Sequence, residues 1–189
     1  KSQLESGKTE LNSKKDATTK QLAEAETKLL TAKADAEAAK THLQLEIQAA
    51  EATVKGLDSG IEQAKARVQM LEQTIMAVNG IEGTLAGLNW IDASKTYVNL
   101  DESTQAAVKA WYESAGYEVN ETDSVEQIKG TLSAIESGIL IKARVNDVSE
   151  LQTKKSDLES TIADLESQKA MAAAPIDQYK SPLSEIEGN

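Results

Sequence analysis

The chain has 189 residues, 40% of them hydrophobic but only 3% aromatic, with no Phe, no Cys and two Pro. Such composition belongs to long helices rather than to a compact domain with a large core, and the absence of Cys excludes a disulfide framework and thiolate chemistry. A formal net charge of −11 disfavours nucleic acid, whose phosphates need basic patches, and disfavours adsorption to anionic lipid.

The first stretch, Lys1–Asn79, reads as one helix carrying a coiled-coil seam. Apolar residues recur at alternating steps of three and four. Leu22, Ala25, Leu29, Ala32, Ala36, Ala39 and Leu43 make one run, and Ile47, Ala50, Val54, Leu57, Ile61, Ala64, Val68, Leu71, Ile75 and Val78 a second. They join by four after four at Leu43 and Ile47, a stutter that locally unwinds a left-handed supercoil. Extended backwards, the seam takes in Leu4, Leu11 and Thr18, but also Lys1, Lys8 and Lys15, which weaken it. Burial is expected to increase beyond Ile47, where one seam position becomes β-branched. A helix of this length would run about 120 Å.

Asn79-Gly80 is a stop signal, so the helix is expected to end there. Residues 80–123 then form a small head, which holds five of the six aromatics: Trp90, Tyr97, Trp111, Tyr112 and Tyr117. Asp101-Glu102-Ser103 opens a short helix that Gly116 closes. Thr96–Leu100 and Tyr117–Asn120 are strand-like in composition or extended loop. Ser124 with Gln127 is a capping box that starts the return helix. Ile128, Leu132, Ile135 and Ile139 continue it. Between Ile139 and Leu151 the seam loses phase, and a kink, wide turn or break near Gly138 is expected. The seam resumes through Leu158, Ile162, Leu165, Ala172, Ile176, Tyr179, Leu183 and Ile186, with Pro175 and Pro182 inside it. Each Pro removes a backbone donor, so the base, 175–189, is expected as two short pieces.

The fold class is therefore all-α: a long antiparallel coiled-coil hairpin with a mainly helical head at its tip. Its segments are an outgoing helix 1–79, a head 80–123, a return helix 124–174 and a Pro-broken base 175–189. If Val78 pairs with about Glu126, then Ile128 faces Ile75–Met76, Leu158 lies near Ile47, and Ala172 near Ala32. About Lys1–Ala17 is then left without a partner, either frayed or paired with another chain, in a fragment otherwise expected to be monomeric.

Catalytic chemistry is not visible. His42 is the single histidine, which excludes a His-based triad or multi-His metal site within one chain, and it reads as a solvated helix-face residue. Glu24–Glu26 and Glu185–Glu187 point in different directions on a helix. Gly80, Gly83 and Gly87 lack the Lys-Ser/Thr ending of a phosphate loop. We expect no enzyme activity, no cofactor and no metal. The head aromatics have two readings: Trp90 and Trp111 as core of a small cap that needs large side chains, or some rings offered to a partner. Trp111, three residues after Val108, is expected to face inward and Tyr112 outward. The candidate partner-binding residues are Trp90, Tyr112 and Tyr117.

A short motif recurs as Leu4-Glu5-Ser6-Gly7, Leu57-Asp58-Ser59-Gly60 and Ile135-Glu136-Ser137-Gly138. The first two sit at the same seam phase once the stutter is allowed for. The motif reads as coincidence in a biased sequence, as a close-approach glycine, or as descent from a repeated heptad. Leu-x-Ser-Gly heptads in Ala/Lys/Glu/Gln-rich helices resemble the extracytoplasmic coiled-coil insertions of large bacterial membrane proteins. The resemblance is nearest to FtsX-like ABC transporter permeases, common in Gram-positive bacteria. Similar heptads occur in membrane proteins of the phage-infection-protein type and in some large exporters of the resistance-nodulation class. The resemblance covers both arms but not 80–123. It implies a non-enzymatic stalk outside the cell membrane, between membrane spans that lie beyond this excised piece, and a cytoplasmic ATPase as partner of the parent protein. The head would bind a protein partner or exported substrate, or the stalk would transmit conformational change. Two other classes fit the same pattern: an efflux adaptor hairpin that contacts an outer-membrane channel, and a surface structural or phage-receptor coiled coil.

Overall fold

The structure is a computed structural model that describes residues 1–188. Its elements are α1 (Ser2–Leu88), a 3-10 turn (Tyr97–Asn99), α2 (Glu102–Ala115), α3 (Val125–Ala143) and α4 (Val148–Glu187). The fold is all-α: α1 packs antiparallel against the return helices α3 and α4, with α2 between them in sequence. The chain forms two compact units, Asp58–Ser167 and Lys1–Leu57 with α4 from Gln168 onward.

In the Asp58–Ser167 unit, α1 does not stop at Asn79-Gly80 but runs on to Leu88. Gly80 serves close packing instead of a turn. A Cβ built there would lie 2.5 Å from Cζ2 of Trp111, so only glycine lets the indole of α2 lie on α1. The indole Nε1–H donates to Thr84 Oγ1 at 3.3 Å, and the Thr84 hydroxyl donates back to the Gly80 carbonyl at 2.9 Å. The core at the turn end is built from Ile81 and Leu88 of α1, Leu100, Val108 and Tyr112, and Val125, Ile128, Leu132 and Ile135 of α3. A second cluster joins Val78, Leu71 and Ile75 to Leu140, Val145, Val148 and Leu151.

The helix ends follow their signals. Asp101 caps α2 by accepting from Thr104 N–H at 3.0 Å, and Gly116 closes it in the left-handed conformation at φ 78°. Ser124 and Gln127 make the expected capping box. Thr96 and Ser124 form a single antiparallel bridge, and Tyr97–Asn99 is a 3-10 turn, so the strand-like stretch 96–100 forms no strand.

The expected irregularity within Ile139–Leu151 is a break, placed at Arg144–Asp147 and not at Gly138, which is helical. Arg144 is left-handed at φ 56°, the sole non-glycine described residue with positive φ. Asp147 Oδ1 accepts from Glu150 N–H at 2.9 Å, and Glu150 reaches back to Asn146 N–H at 2.9 Å. Lys154 Nζ donates to the end carbonyls of α3, Ala143 O at 3.3 Å and Arg144 O at 3.0 Å. These bonds satisfy several of the groups that the two helix ends leave without an intrahelical partner.

The return arm is displaced from the sequence register by more than two turns. Ile128 packs with Ile81 and Leu88 rather than at Ile75–Met76. Lys155 Nζ meets Glu72 at 2.9 Å and Lys65 meets Glu166 at 3.3 Å, so Leu158 lies along the Lys65–Glu72 stretch and not near Ile47. The cause is at the turn: α1 is longer than the Asn79-Gly80 signal implied, and the break after Arg144 takes residues out of the return helix.

In the other unit, Lys180 meets Glu51 at 3.4 Å and Lys40 meets Glu187 at 3.2 Å. Ala172 is therefore not beside Ala32, which is exposed. Pro175 and Pro182 lie inside α4, which continues as one helix to Glu187 instead of dividing into two pieces. Each Pro forfeits one helical hydrogen bond, and on a solvated helix the freed carbonyls can be met by water. From Lys1 to Asp35 every residue of α1 is exposed, well beyond the expected Lys1–Ala17.

Candidate interaction surface at the turn

The three aromatic candidates occupy different environments. Trp90 follows the last turn of α1, whose end is marked by Trp90 N–H donating to Gly87 O at 3.2 Å. Its neighbour Ile91 packs on the core, which turns the indole outward; Trp90 is 92% exposed. Asp92 fixes the loop that follows, accepting from Ser94 N–H at 2.9 Å and from its hydroxyl at 2.8 Å. The Ser94 bonds hold the Asp92 carboxyl below the usual carboxylate range.

Tyr112 corrects the expectation of an outward ring. It is 3% exposed and belongs to the core, while Trp111 is half-buried against α1. Both rings face inward because α2 lies between α1 on one flank and α3 on the other. A single residue step of about 100° turns the helix from one neighbour to the next. Burial pushes the Tyr112 hydroxyl upward; a hydrogen bond with the Thr131 side chain opposes this, and the Asp123 charge adds to it.

Tyr117 lies just past the Gly116 cap, 48% exposed, with its ring 6.2 Å from that of Tyr112 in an edge-to-face arrangement. It lines a hollow of about 470 Å³ with Tyr112, Glu118, Asp123, Gln127 and Thr131 among its walls. Gly130 and Ala134 on α3 leave the space open. Trp90 is not among the residues lining this hollow, so the three candidates do not form one cluster.

Charge at this end is one-sided. Residues 80–123 hold eight carboxylates (Glu82, Asp92, Asp101, Glu102, Glu113, Glu118, Glu121, Asp123) against Lys95 and Lys109. A running charge count along the sequence finds this concentration, which the pattern of aromatics does not show. Among the described residues no group of three or more His, Cys, Asp or Glu is placed to hold a metal ion, and no helix is long and apolar enough to cross a membrane.

The recurring Leu-x-Ser-Gly motif has no common packing role. Gly7 and Gly138 have nothing within 4 Å of a built Cβ, and at Gly60 the nearest atom is Leu165 Cδ1 at an ordinary 3.8 Å. Close approach therefore does not explain these glycines. Comparison of the chain with protein-family models, with curated proteins and with solved structures finds no match.

Proposed function

We propose that this chain is a non-enzymatic stalk module whose turn end binds a protein with a basic surface, Trp90 supplying the anchor. The observation that carries the reading is the 92% exposure of Trp90 beside a strongly acidic head. An indole held in water gains most from burial in a partner, and Trp is enriched among interface residues that dominate binding energy. The surplus of carboxylates steers a cationic partner and makes association sensitive to salt. Tyr117 and its acidic hollow suit a Lys or Arg side chain, received by the ring face and by Glu118 or Asp123.

The Leu-x-Ser-Gly heptads support the setting: an extracytoplasmic domain of a bacterial permease of the FtsX-like type, working with a cytoplasmic ATPase. In that setting the helices carry a conformational change to or from the bound partner. The efflux-adaptor alternative fits less well, because such hairpins turn tightly, whereas this one inserts α2 and two loops.

The test is a photo-crosslinking residue placed at position 90 in the full-length parent protein in its own cell. The expected adduct is with a basic protein, reduced by added salt and lost when Glu118 and Asp123 are both changed to Lys. No adduct at position 90, together with normal activity of a Trp90→Ala, Tyr117→Ala parent, would overturn the reading.

A further inference from the structure

The largest unexplained feature is the exposed first third of α1. Leu4, Leu11, Leu22, Leu29 and Leu30 are each at least 60% exposed. All but Leu30 fall on the seam that, from Leu43 onward, is half-buried or buried. The unfilled face is therefore the continuation of the seam used by the α1–α4 interface, on the other side of the stutter at Leu43 and Ile47. A lone helix gains little stability in water, so such a face calls for a second helix.

Charge points to what that helix is. Lys1–Asp35 holds seven Lys and six acidic residues, out of 20 basic and 31 acidic in the whole chain. The remaining residues thus carry 13 basic against 25 acidic. With its charges nearly balanced, this segment can meet a second copy of itself without strong like-charge repulsion.

We propose that Lys1–Asp35 pairs antiparallel with the same segment of a second copy, about a two-fold axis between Lys15 and Thr18. Antiparallel seams set the first seam position of one helix against the second of the other. One register then places Leu4 against Leu29 of the partner subunit and Leu11 against Leu22 of the partner subunit. It also places Lys1 against Ala32 of the partner subunit, Lys8 against Ala25 of the partner subunit, and Lys15 against Thr18 of the partner subunit. Every seam Leu meets a Leu, and every seam Lys meets a small residue over which its aliphatic stem can pass while the ammonium stays in water. A parallel pair would set Lys1, Lys8 and Lys15 against their own copies. The contact is isologous, so it closes at two chains. It is independent of the binding proposed for the turn end.

The test is sedimentation equilibrium of the 189-residue chain across the micromolar range. The expected species has twice the 20.3 kDa of one chain. Leu11→Lys with Leu22→Lys is expected to weaken the dimer by about a hundredfold or more, since each dimer loses four buried leucines. Circular dichroism of that variant, with tryptophan fluorescence from the turn end, checks that the Asp58–Ser167 unit is still folded. The chain lacks cysteine, so orientation is read by mixing Leu4→Cys with Leu29→Cys and oxidising. The expected product is the mixed disulfide. A monomeric mass at all concentrations, which would assign the face to some other helix, overturns the proposal. So does a dimer indifferent to the lysine substitutions, or oxidation that yields only Leu4→Cys homodimers.

Discussion

Single residues at the turn end show how one atom's room decides local structure. At Gly80 the Cβ of alanine would collide with the Trp111 ring. Gly80→Ala therefore sets a helix-propensity gain of about 1 kcal/mol against an overpacking cost of about 1–3 kcal/mol. A net loss of stability is expected in urea denaturation. In a Trp111→Ala background the collision is gone, and the same substitution is expected to stabilise by about 1 kcal/mol. An unchanged sign in the two backgrounds would show that the indole does not need Gly80. Arg144 presents the opposite case, a side chain where glycine fits better. Its left-handed backbone at φ 56° predicts that Arg144→Gly raises stability by about 0.5–1 kcal/mol. The two neighbouring aromatics also separate: Tyr112→Ala should cost about 3–5 kcal/mol, whereas Trp90→Ala should leave the unfolding midpoint in place.

At the scale of elements, the break after Arg144 reconciles two helices with one partner. α3 and α4 present their apolar seams in different phases, and a single straight helix could not set both against α1. Capping by Asp147 and the Glu150–Asn146 bonds make the break a built joint. Between α1 and α3 there is a contact that opposes stability: burial, and then the Glu82 charge, raise the Glu136 carboxyl above its ordinary value. A raised carboxyl binds its proton more tightly in the folded than in the unfolded chain. Folding is therefore weakened as pH rises from about 4.3, the unfolded glutamate value, through the folded pKa. Glu136→Gln is expected to raise the melting temperature at pH 7, with the gain shrinking as pH falls below that window. A gain that is constant across pH would mean that the charge is not its source. The register of α4 is open to a direct check as well. Spin labels at Glu72 and Lys155 should couple strongly, and uncoupled labels would remove the pairing seen here.

For the molecule as a whole, stability is unevenly distributed. Within Asp58–Ser167, α1 is packed by α2, α3 and α4 around two buried clusters. In the other unit, every residue of α1 up to Asp35 is exposed. Amide exchange is expected to be slow in the buried turns of the first unit at any protein concentration. In Lys1–Asp35 it is expected to be fast in dilute solution and to slow as concentration rises and copies pair. Protection of that segment independent of concentration would contradict both its exposure in the single chain and its pairing.

Much of this protein follows from local chemistry, and the sequence alone determines it. The seam of Ile47–Val78, the seam of Leu158–Ile186, the Asp101 and Ser124 caps, the Gly116 stop and the loss of phase after Ile139 were all legible. Each depends on residues within a turn or two of one another. What the tertiary structure decided depends on neighbours distant in sequence. Asn79-Gly80 has the form of a stop, but the Trp111 indole, from another helix, uses Gly80 as a seat and α1 continues. Tyr112 lay outside the apolar stripe expected for α2, but a second neighbouring helix gave it a buried face. The register could not be read from the seams because heptad patterns repeat: sliding α4 by whole heptads keeps every apolar residue on the seam. Only the length of α1 and the position of the break at Arg144 select one alignment. That selection leaves Lys1–Asp35 exposed in the single chain.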